Sequence, residues 1–194
     1  EQLAFKAVDH LIDSLSRSLR RLSLVELEAL LPPDVVALAQ LFPVLERVDV
    51  IQQLVQEAPK KGYPRAAAFA ALRNLFYQLA RKRRVVCFLD DLQFGDQDSA
   101  ELLAQLLAPP RPPPFLLIAA YPSSERDRQE ILRVLRAPKN SAFVVREILV
   151  GALSQAAAEE LARSVLKEHG DPNEDDERPE EQIRTTMPAF PPAE

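Results

Sequence analysis

The chain has 194 residues, 47% of them hydrophobic and 27% charged, the make-up of a globular domain rather than of a disordered polymer. Its 24 Lys and Arg against 29 Asp and Glu leave a net charge of −5, which speaks against a general nucleic-acid binder. One cysteine (Cys87) excludes an internal disulfide framework, two distant histidines (His10, His169) make no Cys/His zinc site, and no apolar run reaches the ~18 residues of a membrane span.

Phe5, Val8, Leu11, Ile12, Leu15, Leu19 and Leu22 recur at spacings of three and four, which predicts a helix over 3–22. Pro32-Pro33 ends the next short helical stretch at Leu31. Asp34 is the expected N-cap of a helix over 35–41, and Pro43 opens another that runs to about Val55. Residues 58–64 read as a loop. Residues 65–81 read as a helix with Phe69, Leu72, Leu75, Phe76 and Leu79 inward, so 1–81 is a helical region.

The period then changes. Residues 85–89 (Val-Val-Cys-Phe-Leu) form an apolar run that stops at Asp90-Asp91, which predicts a strand buried on both faces. A helix from Gln97 or Asp98 to Leu107 follows, then a stiff proline connector over 109–114. Next come a second buried strand over 115–121, a helix over 125–136, a third strand over 143–150, and a helix capped by Ser154 that runs to about Glu168. This alternation predicts an α/β layer of about three parallel strands over 82–168, with the Asp90 strand beside the Phe115 strand. From Asp171 onward there are eight acids, two arginines and five prolines with few large apolar side chains. Residues 169–194 therefore read as a disordered acidic tail, and without it residues 1–170 carry a net charge of only +1.

In open α/β sheets, ligands lie beyond the carboxyl ends of the strands. Asp90 and Asp91 stand at such an end. In a nucleotide hydrolase the first acid holds Mg²⁺, usually through water, and the second orients the attacking water. The alternative is a buried strand followed by a polar turn, where Asp is common.

The longer run Asp90-Asp91-Leu92-Gln93-Phe94-Gly95-Asp96-Gln97-Asp98-Ser99 resembles the Walker B segment of AAA/STAND-type P-loop ATPases of large bacterial signalling proteins. That segment typically reads Asp-Asp-Leu-Gln-Trp-Gly-Asp, two residues, then Ser; Phe94 stands for the tryptophan. Phe5 to Asp9, Ile12 to Leu15, Leu38 to Leu45 and Leu153-Ser154 resemble further blocks of the module. The resemblance thus covers residues 1–168 and is most specific over 85–99. It implies a partial P-loop-type sheet, with Asp90 as metal ligand, Asp91 as catalytic acid, and Mg²⁺ and ATP as cofactors of an intact parent. That parent resembles serine/threonine protein kinases carrying the module behind the kinase domain. Neighbouring domains of this larger, cytoplasmic protein are the expected partners, with no nucleic acid, membrane or metal cluster. The chain begins without Met or a signal peptide, in keeping with a piece of a longer protein.

Two departures bear on activity. No Gly-x-x-x-x-Gly-Lys-Ser/Thr string occurs, so the backbone ring and lysine that cradle phosphates are absent from the chain. The family's Gly-Thr-Tyr-Arg after the next strand is here Ala119-Ala120-Tyr121-Pro122. Activity of the chain alone is therefore not expected, and a degenerate, non-catalytic scaffold is the alternative function. Among other candidates, the basic cluster Arg81-Lys82-Arg83-Arg84 reads as a solvated helix end. Cys87 reads as a small core residue. His10 and His169 read as surface residues without chemistry.

Overall fold

The computed structural model describes residues 4–125, 130–136 and 144–168. The acidic tail, part of the helix expected over 125–136 and the start of the strand expected at Phe143 lie outside the described residues. Contacts divide the chain into two compact units, Glu1–Glu147 and Ile148–Glu194.

The first unit opens with turns over 4–8, and helix α1 spans only Asp9–Leu19. The helix predicted from residue 3 fails because Phe5 has φ 65°, outside the helical region, and the amides of Phe5, Lys6 and Ala7 bond to side chains elsewhere. Short α2 (Leu24–Glu28) is started by a capping box, in which the Ser23 hydroxyl accepts from the Glu26 amide and the Glu26 carboxylate accepts from the Ser23 amide. Helix α3 spans Val35–Leu41 as predicted, although the Asp34 side chain makes no capping bond. The stretch after Pro43 splits into a 3-10 turn (Pro43–Arg47) and α4 (Asp49–Glu57), because Val48 between them is extended. Helix α5 (Arg65–Lys82) buries Phe69, Leu72, Leu75 and Phe76, with Leu79 half-buried. It packs on α3 and on α6 (Gln97–Leu107), and α6 packs in turn on α7 (Glu130–Arg136). The Phe5 ring closes this core from the side, edge-on to Phe42 at 5.0 Å and to Phe69 at 6.1 Å between centroids.

Two strands, β1 (Val86–Leu89) and β2 (Leu116–Ala119), pair in parallel with Val86 opposite Leu116 and Leu89 opposite Ala119. The adjacency read from the sequence is thus present, and the architecture is mixed α/β. Two other expectations fail. Residues 144–150 are exposed and adopt no strand, so the described sheet has two strands rather than three. Nor is β1 buried on both faces: Cys87 and Leu89 point into the core, whereas Val86 (60%) and Phe88 (55%) are exposed beside Leu116 (57%) and Ile118 (44%). An apolar run announces two covered faces, but among the described residues helices cover only one of them.

Cys87 is buried, and desolvation pushes its thiol up to about 11. A thiol reagent is expected to label it only as fast as the chain unfolds, rising with urea along the unfolding transition; rapid labelling of folded protein would contradict the inward face of β1.

In the second unit, α8 (Gln155–Glu168) starts where the sequence predicts, with the Ser154 hydroxyl accepting from the Ala157 amide at 3.3 Å.

Candidate functional site

The β1 ladder continues past its last residue. The Ala120 amide donates to the Leu89 carbonyl at 2.9 Å, and the Ala120 carbonyl accepts from the Leu92 amide at 3.0 Å. These two bonds bracket Asp90 and Asp91 and fix the turn that carries them. Ala120 sits where the resemblance expects a polar side chain; here it contributes its backbone.

Within the turn, Asp90 Oδ1 accepts from the Asp91 amide at 2.9 Å. Asp91 has φ 50° and ψ 42°, the left-handed region that Asp tolerates better than most residues. Its Oδ1 accepts from Gln93 Nε2 at 2.9 Å. That bond turns Gln93 Oε1 inward, where it is buried without a hydrogen-bond partner. A left-handed non-glycine residue and an orphaned buried oxygen within three positions are both costs that cluster at functional sites. Removing the Asp91 side chain two ways separates backbone from side chain. Asp91→Gly is expected to be more stable than Asp91→Ala by about 1 kcal/mol in urea unfolding, since only alanine keeps the left-handed penalty; equal stabilities would mean that the turn relaxes.

Both acids line a cavity of about 460 Å³ together with Lys6, Ala7, His10, Phe88, Leu89 and Phe94. That volume lies within the range of small-ligand sites. Of these lining residues Leu89 is buried, whereas Phe88 and Phe94 are exposed.

The second half of the motif has a different task. Asp96 caps α6, accepting from the Ser99 amide at 2.9 Å and the Ser99 hydroxyl at 2.8 Å. The same carboxylate accepts the amides of Phe5 at 3.1 Å and Lys6 at 2.6 Å, and the buried Ser99 hydroxyl accepts that of Ala7 at 3.2 Å. Burial pushes the Asp96 carboxyl up, but the hydrogen bonds from Ser99, Phe5 and Lys6 outweigh it and hold the group below its ordinary 3.8. Gly95 permits the close approach: a Cβ there would meet the Ile131 side chain and the Leu92 carbonyl oxygen at 3.0 Å. The run from Asp90 to Ser99 is therefore two devices in series, an acidic turn and a clamp that holds the N-terminal segment against it.

Sequence reading missed Lys6 and His10, and it assigned His10 no chemistry. The only signal for them is their four-residue spacing, which carries nothing without the clamp that brings them beside β1. Among the described residues, no group of three or more His, Cys, Asp or Glu side chains is arranged to hold a metal ion. Asp90 and Asp91 offer hard oxygen donors, each with one carboxylate oxygen already engaged. Such a pair suits Mg²⁺, which keeps several waters and completes its shell with substrate phosphate. The chain has no Gly-x-x-x-x-Gly-Lys-Ser/Thr loop that would cradle a phosphate beside them. No family model matches the chain, and neither does any curated protein or solved structure. No described helix is long and apolar enough to cross a membrane.

Proposed function

We propose that the chain is part of an ATP-binding regulatory ATPase module of a larger signalling protein, with a serine/threonine protein kinase as the parent that the sequence resemblance suggests. The observation that carries the reading is the position of Asp90 and Asp91: at the carboxyl end of a parallel strand, bracketed by Ala120, and open to a cavity. Asp90 would be the metal ligand and Asp91 the acid that orients water. Magnesium bound there would neutralise charge on the phosphate undergoing transfer. Gln93 holds the Asp91 carboxylate in place, and the strained backbone fixes its direction before any ligand arrives. The bare apolar face of the two strands supports the partner reading, because parallel sheets are stable when both faces are covered.

A specific observation favours the second reading, a non-catalytic scaffold, for the chain as it stands. It lacks a phosphate-loop string, and Ala120 and Pro122 replace polar groups that the resemblance expects. The two readings separate on binding. Calorimetric titration of ATP·Mg²⁺ into the chain is expected to give a Kd of about 1 mM or weaker, since the phosphate cradle supplies most contacts in such modules. Asp90→Asn is expected to remove what binding there is while leaving the fold intact, because the Asn oxygen can still accept the Asp91 amide. Binding that Asp90→Asn does not change would leave Asp90 a structural strand end.

A further inference from the structure

We propose that Lys6 and His10 supply hydrogen-bond donors to this cavity and bind the oxyanion of a metal–phosphate pair whose metal end rests on Asp90. The proposal rests on the reading of Asp90 as a metal ligand and adds an anion subsite to it. Lys6, in the turns before α1, and His10, in the first turn of α1, both line the cavity with Asp90 and Asp91.

The charges decide the class of ligand. Among the described residues no ion pair joins Lys6 or His10 to Asp90 or Asp91. With His10 counted neutral, two carboxylates and one ammonium leave the empty cavity slightly negative, which repels a free phosphate. A free divalent ion meets the opposite difficulty, since only two protein carboxylates face it and Lys6 repels it. A divalent ion carrying a phosphate chain matches both the acids and the donors. Its metal faces the acids, and its outer oxygens face the Lys6 ammonium and the His10 ring N–H.

Lys6 also owes its place to the clamp rather than to its own side chain. Its backbone amide bonds to Asp96 at 2.6 Å, whereas its side chain is exposed. Truncating Lys6 or His10 therefore leaves the fold as it is, and a change in binding reports on the subsite.

The test uses the full chain and Mg²⁺·tripolyphosphate, with binding followed by the side-chain NMR signals of Lys6 and His10 and by calorimetry. The wild type is expected to show both signals moving with the complex, and either component alone to bind more weakly. Lys6→Ala combined with His10→Ala is expected to weaken the complex about tenfold, the loss of charge-assisted hydrogen bonds, while binding of Mn²⁺ alone is unchanged or tighter. Lys6→Arg should restore most of the loss. A double variant that binds the complex as the wild type does would overturn the proposal, as would an equal loss in Lys60→Ala/Lys61→Ala, which removes charge away from the cavity. Failure of the metal reading looks different: Mn²⁺ binding that is indifferent to Asp90→Asn.

Discussion

Asp96→Ala is expected to lower the unfolding free energy by about 3 kcal/mol. The carboxylate does two jobs at once. Its loss uncaps α6, a change that costs about 1 kcal/mol in an ordinary helix. It also strands the amides of Phe5 and Lys6 and leaves the buried Ser99 hydroxyl without the acceptor for its proton. Asp96→Asn should fall between, because its two oxygens now share four donors and asparagine keeps only one of them. The pH dependence has a definite sign. A carboxyl held below its ordinary value in the folded chain gives a stability contribution that is complete above about pH 4 and is lost as pH falls through the folded value. The wild type should therefore lose stability on acidification through this window, and Asp96→Ala should lack that component. Equilibrium urea unfolding at pH 7 and pH 3 reads both effects. A variant within about 0.5 kcal/mol of wild type at pH 7 would mean that the clamp is not a support of the fold.

Phe69→Ala is expected to cost about 4 kcal/mol, the range for truncating a buried aromatic ring whose neighbours cannot collapse into the gap. Phe69 lies in the second turn of α5 and is fully covered. Its ring meets Phe5 edge-on and stacks under the Arg65 guanidinium at 5.6 Å, while Arg65 also pairs with Asp98 at 2.7 Å. Because Phe5 is tied to Asp96 through its amide and to Phe69 through its ring, the Asp96 and Phe69 substitutions share a partner. The double variant should lose less than the sum of the two single losses, by about 1 kcal/mol. Thermal or urea unfolding of the four proteins gives this coupling, and strict additivity would show that the N-terminal segment is not the link.

Local elements were legible because local chemistry sets them. The apolar period and prolines delimit α3 and α5 to within a residue, and Ser154 starts α8 where its hydroxyl caps it. The parallel pairing of the Asp90 and Phe115 strands followed from alternation with helices. What failed depended on partners far along the chain. The break at Phe5 is caused by Asp96, about 90 residues away, so an apolar stripe continuing to residue 3 carried no warning. The third strand expected over 143–150 fails because a strand needs a neighbour to pair with, and among the described residues no strand pairs with 144–150. At the site, Asp90 and Asp91 were visible as an abrupt end to an apolar run. Lys6 and His10 were not, since two polar residues at helical spacing look like any solvated face.

The most direct test of the central claim, that the strand-end acids hold a metal–phosphate pair, is paramagnetic broadening by Mn²⁺ with tripolyphosphate in the backbone NMR spectrum of the full chain. Broadening is expected to centre on residues 89–92 and to require about tenfold more Mn²⁺ in Asp90→Asn. Equal broadening in the two proteins, or broadening centred away from Asp90 and Asp91, would contradict the account.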